Sequence, residues 1–242
     1  MDKPVISIIH PSRGRPGRSH DCIDRWIKRA GIPITDLEVI LSLDDDDPEF
    51  NVYRILYTEN KNVIVCSGPN RYAVGAVNRG AILATGRIMI VVSDDFECPA
   101  GWAELIIKAI GGKQDFVLKV NDGTQKYIVT LPILDRKYYD RFGYIYHPDY
   151  KHMFSDTHLT HVADCLGKIL WRNDILFPHK HYSVVKQRPD LINRRADATW
   201  NDGKRIYLKH VRNKFGLGVN VLAIDKNGIS HLKWLKHYLR IK

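Results

Sequence analysis

The feature that most constrains this chain is a pattern repeated through its first hundred residues: short β-branched runs that stop abruptly in polar or acidic clusters. Val5 to His10 breaks into Pro11-Ser12-Arg13-Gly14-Arg15-Pro16-Gly17. Leu37 to Leu43 ends in Asp44-Asp45-Asp46-Asp47-Pro48, and the apolar run Arg87 to Val92 ends in Ser93-Asp94-Asp95. A further strand, Asn62 to Cys66, is closed by Ser67-Gly68-Pro69. Helical spacing fills the gaps. Cys22, Ile23, Trp26, Ile27 and Ala30 lie between a Ser19 cap and a Gly31 stop, and Ala73, Val74, Ala76, Val77, Ala81, Ile82 and Ala84 precede Gly86. A third helix is expected from about Pro99 to Ile110.

Strands alternating with helices imply an α/β fold with a mostly parallel sheet and helices on both faces. Ligands of such sheets bind beyond the carboxyl ends of the strands, so three polar strand ends would converge on one crevice. The second half reads differently. Phe116 to Val120 and Tyr127 to Leu131 suggest a strand pair around Asn121-Asp122-Gly123, and a helix is expected from Ser155 or Asp156 to Leu166. Six of the eleven histidines (His147, His152, His158, His161, His179 and His181) fall within 35 residues. Without thiolates or a clear spacing motif they do not by themselves indicate a zinc site.

The formal net charge of +10 is unevenly placed. Residues 1–185 hold 23 basic and 23 acidic side chains, whereas the last 57 residues hold 14 basic and 4 acidic. The chain therefore reads as one domain over 1–185, with a nucleotide-facing half (1–110) and an acceptor half (111–185), and a basic extension over 186–242 packed on it. A basic, aromatic tail with Arg194, Arg195, Lys204, Arg205 and Trp200 suits a polyanion such as nucleic acid. The stripe Ile229, Leu232, Leu235 and Leu239 suits a cationic helix on a membrane surface or a helix docked on the core, and the basic excess taken alone also fits a solvated face without a partner. No apolar run approaches the roughly 20 residues of a membrane span, and no cleavage-type segment opens the chain, so an intracellular, cytoplasmic protein is expected. With 44% hydrophobic and 26% charged residues, disorder is excluded. Cys22, Cys66, Cys98 and Cys165 are scattered and form no CxxC pair, which leaves them as small buried hydrophobes.

The segment Arg71-Tyr72-Ala73, Asn78-Arg79-Gly80, Ala84-Thr85-Gly86, followed by a strand into Asp94-Asp95, resembles the corresponding block of glycosyltransferase family 2, whose fold is called GT-A. Ile6 to Arg13 is similar to that family's opening strand and nucleotide-facing loop, and Leu41 to Asp45 to its second strand, so residues 4–102 are covered as an ordered set. Phe154-Ser155-Asp156-Thr157 and Phe177-Pro178-His179-Lys180-His181 look like an acceptor-side acidic motif and an H-x-H found in small bacteriophage glycosyltransferases. One departure is that Ser93 stands first in the DxD-type triplet.

The resemblance implies an inverting, metal-dependent transferase using a nucleotide-sugar, with UDP-sugar as the expected donor. It assigns donor contacts to Pro11, Ser12, Arg13, Asp44 or Asp45, Arg71 (on the diphosphate), Asn78 and Asp94. It assigns a divalent ion, Mn²⁺ or Mg²⁺, to Asp95 and His181, with His179 the lesser candidate. Asp156 becomes the catalytic base, because an acceptor hydroxyl needs a carboxylate to take its proton; Ser155-Asp156-Thr157 would otherwise serve as a helix cap. The small phage enzymes suggest a hydroxymethylated pyrimidine in DNA as acceptor, against a cell-surface saccharide or lipid-linked glycan. A nucleotidyltransferase is a further alternative, for which Ser12 to Gly17 is only a loose phosphate loop. A non-catalytic nucleic-acid-binding protein would explain the tail but not the convergent strand ends.

Overall fold

The computed structural model describes residues 5–58, 60 and 62–217. Ile229, Leu232, Trp234, Leu235, Tyr238 and Leu239 lie outside them. The chain runs β1 (Ile6–Ser12), α1 (Pro16–Lys28), β2 (Leu37–Asp44), α2 (Phe50–Tyr57), β3 (Val63–Gly68), α3 (Tyr72–Leu83), β4 (Ile88–Val91) and α4 (Trp102–Ile110). It continues through β5 (Val117–Asn121), β6 (Ile133–Asp135), α5 (Arg136–Asp140), α6 (Ser155–Cys165), β7 (Ile169–Leu176), α7 (Leu191–Asp197) and α8 (Trp200–Arg212). The seven strands form one sheet in the order β3-β2-β1-β4-β6-β5-β7. Only β6 runs against the others, pairing antiparallel with β4 and β5. The expected mostly parallel α/β architecture is therefore present.

Strand alternation explains why both faces are covered. Ile6 and Ile8 of β1, Val39, Leu41 and Leu43 of β2, and Ile88 and Ile90 of β4 join a core with Trp26 of α1 and Trp102 of α4. Ile9, Ile40, Met89 and Val91 point the other way, into a core with Val74, Val77 and Ala81 of α3 and Tyr207 of α8. α3 sits close on the sheet because Gly80 has no side chain: a Cβ there would lie 2.9 Å from Cγ2 of Ile9. The indole of Trp102 donates to the Trp26 carbonyl at 2.7 Å, and that of Trp26 reaches the Phe96 carbonyl at 3.5 Å, so the core anchors the loop after β4.

Local expectations needed three corrections. α1 starts at Pro16, with Arg15 at the cap position, and Ser19 is buried inside the helix with its hydroxyl 3.4 Å from that of Tyr57. The segment Tyr127 to Leu131 is not a strand. Ile128, Val129 and Leu131 are buried, but the amide of Val129 donates to Oγ1 of Thr160 at 2.9 Å, and the antiparallel partner of β5 is the three-residue β6. Ser155 and Asp156 do not cap α6, because Phe154 holds the cap position with φ 71° and no side chain bonds there.

α8 packs on the backbone just before α6. A Cβ at Gly203 would lie 2.3 Å from the carbonyl oxygen of Met153, a contact backbone cannot relieve cheaply. Gly203→Ala is expected to destabilise the protein by at least about 1–3 kcal/mol, read as a lowered denaturation midpoint. An unchanged midpoint would show that α8 is not seated there.

Candidate active site

The carboxyl ends of β1, β2 and β4 open into a crevice lined by Pro11, Ser12, Arg13, Asp44, Ser93 and Asp94. It continues into a deeper recess lined by Asp95, Asp156, His179 and His181. Parallel register places these ends side by side, since Ile9 of β1 pairs with Ile40 of β2 and with Val91 of β4. The roof is α7: Ile192 and Ala196 line both parts of the crevice, Arg195 the first and Asp197 the second.

At the nucleotide-facing end, Asp44 is 4% exposed and lies 3.3 Å from both the Arg13 and Arg79 guanidinium groups. Burial raises its carboxyl pKa, while Arg79 and Arg13 act to lower it. The four aspartates have separate fates. Asp45 is exposed, Asp46 ties Arg13 to Asn70, and buried Asp47 accepts the amides of Gly14 and Glu49 at 2.8 and 2.9 Å. Only Asp44 of the run faces the crevice. Opposite it, Arg195 stands 4.3 Å over the ring of Tyr72 and donates to Asn70 at 2.6 Å.

Arg15 spans the crevice mouth. Its guanidinium reaches Asp94 at 3.2 Å and Asp190, the cap of α7, at 2.6 Å, and it bonds Asn193 at 2.9 Å. This one side chain thus joins the end of β4 to the α7 roof. The backbone amide of Arg15 donates to the Tyr53 hydroxyl, which also meets Ser12 Oγ at 2.7 Å.

In the recess, Asp95 receives the Ser93 hydroxyl on one oxygen and has His179 Nε2 3.2 Å from the other. Burial alone would raise its pKa; the hydrogen bond and charge of His179, with Ser93 and His181, hold the carboxyl well below the usual carboxylate range. His179 is fixed by stacking on Phe96, with ring centroids 4.1 Å apart. His181 lies one ring further out, 5.5 Å from His179, with Nδ1 beside Ser183 Oγ. Asp156 sits in the first turn of α6, and burial raises its pKa despite hydrogen bonds from Thr157. His152, half-buried between the two parts, has its pKa lowered by desolvation.

Not every residue singled out from the sequence meets here. Arg71 is exposed at the start of α3 and does not line the crevice. Asn78 clamps a neighbouring loop: its amide donates to the Tyr146 carbonyl at 2.7 Å and accepts the amides of Ile145 and Tyr146 at 3.1 Å. Arg194, Lys204 and Arg205 stay outside the crevice while Arg195 enters it, so the two adjacent arginines part company. Sequence reasoning missed Arg15, His152, Tyr72 and Ile192. Arg15 stood in the breaker-rich loop after β1, His152 in the histidine group and Tyr72 in the segment that carries the resemblance, whereas Ile192 had no signal.

The family described as glycosyl transferase family 2 matches residues 7–173. Among solved structures, the mannosyltransferase PcManGT from Pyrobaculum calidifontis, in complex with GDP-Man and Mn²⁺, superposes with a TM-score of 0.59 at 14% identity, over 74% of this chain and 58% of that one. S. aureus TarS 1-349 superposes with a TM-score of 0.58 at 15% identity, over 71% of this chain and 59% of that one. Its complex with UDP-GlcNAc gives 0.58 at 16% identity, over 71% and 57%. The chain thus spans less than two thirds of the length of these structures, which share its fold. No curated protein matches it.

Proposed function

The chain belongs to glycosyl transferase family 2, and from that membership we propose that its crevice transfers a sugar from a UDP-sugar to an acceptor hydroxyl with inversion at the anomeric carbon. The observation that carries this reading is the convergence of Asp44, Asp94, Asp95 and Asp156, from three separate segments, on one crevice and its recess. Two of the similar structures hold nucleotide-sugars, GDP-Man and UDP-GlcNAc.

Asp44 accepts the imide N–H of uracil, and the Tyr72 ring with Arg195 over it offers a stacking and charged wall beside the nucleotide. Arg195 and Arg13 line the crevice and Arg71 does not, which supports giving the diphosphate to the first two. Asp94 faces the ribose once Arg15 yields it. The donor set Asp95 with His181, one carboxylate held ionised and one imidazole, fits a divalent cation such as Mn²⁺ or Mg²⁺. Bound there, such an ion supplies positive charge to a diphosphate leaving group. Asp156 takes the acceptor proton, and its raised pKa makes it a stronger base than an ordinary carboxylate.

Arg195→Ala is expected to weaken UDP binding about 10- to 100-fold, as for the loss of one charge-assisted contact of about 1.5–3 kcal/mol. Calorimetric titration with UDP and GDP, each with Mn²⁺, tests the donor assignment. Tighter binding of UDP is expected, and a preference for GDP would overturn the role given to Asp44.

For the acceptor, the reading extends to a polyanion, with a hydroxymethylated pyrimidine in DNA as the leading case. α8 follows directly on the α7 roof and carries Lys204, Arg205, Lys209 and Arg212 against one acid, Asp202. If this helix grips duplex DNA through roughly three to six phosphates, log K falls with log salt at a slope of about −3 to −5. Arg194→Ala with Arg205→Ala is expected to reduce that slope by up to about two units and to leave UDP affinity unchanged. No measurable DNA affinity at low salt would exclude DNA and leave a saccharide or lipid-linked acceptor, with the donor site intact. Among the described residues no helix is long and apolar enough to cross a membrane.

A further inference from the structure

We propose a second divalent-cation site, of the zinc type, formed by His147, Asp149 and His210 outside the crevice. His210 Nε2 lies 2.9 Å from Asp149 Oδ2, and His147 Nδ1 lies 3.9 Å from the same oxygen. The three ligand atoms fall within 4.8 Å of one another, so a common centre lies within roughly 3 Å of each. Zinc–nitrogen and zinc–carboxylate bonds are about 2.0–2.2 Å, so closure asks each donor to move inward by about 1 Å or less. Two imidazoles and one carboxylate suit a borderline ion of this kind better than a hard one.

The surroundings favour an ion over a simple His–Asp pair. A third imidazole, His158, approaches both histidines, with centroid separations of 4.9 Å to His147 and 4.8 Å to His210. Its Nδ1 faces the Tyr150 hydroxyl at 3.1 Å, the kind of outer contact that fixes a metal-binding histidine and leaves only Nε2 as a donor. His147 Nδ1 also receives the Asp149 backbone amide at 3.3 Å, a long contact that a bound ion would replace. The site also has an entry path, because Asp149 is exposed while His147 and His210 are mostly covered.

The ligands come from two elements. His210 lies in the last turn of α8, and His147 and Asp149 lie in the turn just after Ile145 and Tyr146, which Asn78 clamps. None of the three ligands lines the crevice, but Tyr146 does, and α8 continues from the α7 roof. An ion at this position would fasten the roof-bearing helices to the crevice wall, a structural role independent of the catalytic ion.

The test titrates metal-free full-length protein with Zn²⁺ alone, following stoichiometry and melting midpoint, and with Co²⁺ for the visible absorption of a low-coordinate site. Asp95→Ala, which lacks the crevice site, is expected to bind one Zn²⁺ that raises the midpoint by several degrees, and wild type to bind at least that one. Asp149→Ala and His210→Gln are expected to weaken that binding at least 10-fold and remove the shift. If His210→Gln does not fold, Asp149→Ala decides, because its carboxylate is exposed. Wild-type Zn²⁺ affinity in Asp149→Ala, loss of the ion in Asp95→Ala, or no stoichiometric uptake by wild type at micromolar Zn²⁺ would each overturn the proposal.

Discussion

Asp156→Asn is expected to lower kcat by at least about 10²-fold while leaving UDP affinity near wild type. The substitution keeps the side-chain shape and an oxygen for the Thr157 amide, which now bonds Asp156 Oδ1 at 2.7 Å. Since Phe154, not Asp156, holds the cap position of α6, loss of a helix cap cannot account for a fall in rate. The pH profile supplies a second sign. Burial raises the Asp156 pKa, so the base form is lost on acidification at a higher pH than for an ordinary carboxylate near 3.9. The acid limb of kcat/KM should therefore stand above that value in wild type and be absent from the residual activity of the variant. Near wild-type turnover by Asp156→Asn would remove it from the chemistry.

Asp95→Ala is expected to abolish the Mn²⁺-dependent part of UDP binding, a loss of at least about 10-fold measured by calorimetry with and without chelator. The carboxylate is held ionised against its own burial by His179 and Ser93, the arrangement expected of a group poised for a cation. Removing it also leaves His179 without its ionic partner, so the companion variant Asp95→Asn controls for packing. Equal UDP affinity in wild type and both variants, all with Mn²⁺, would show that Asp95 holds no ion that the donor needs.

What the sequence made legible is what local periodicity encodes. The runs ending at Ser12, Asp44 and Val91 are strands whose two faces are both buried, so they read as apolar blocks with abrupt polar ends, and their parallel register brings those ends together. β7 was hidden because Ile169–Leu176 carries Arg172 and Asp174 on an edge strand, where polarity is tolerated. Tyr127 to Leu131 misled in the opposite direction: Ile128, Val129 and Leu131 are buried, but the Val129 amide bonds Thr160 Oγ1 and the Thr130 amide bonds the Ile128 carbonyl, not a neighbouring strand. The same division holds in the site. Asp44, Asp94, Asp95 and Asp156 follow from element ends, and Arg15 from the loop after β1, whereas Arg195 reaches the crevice only because α7 folds back over it, a tertiary event that leaves no periodic trace. Arg71 and Asn78 show the converse. They occupy the right helix, yet one faces solvent and the other has its donor and acceptor committed to residues 145–146.

Release of UDP from a panel of UDP-sugars, measured for wild type, Asp95→Ala and Asp156→Asn with Mn²⁺ and with chelator, tests most directly whether this crevice performs nucleotide-sugar chemistry. Wild type should release UDP from at least one donor only when the metal is present, and both variants should fall by at least about 10²-fold. Metal-independent release, or release that survives in both variants, would contradict the assignment of the β1, β2 and β4 ends as the donor site.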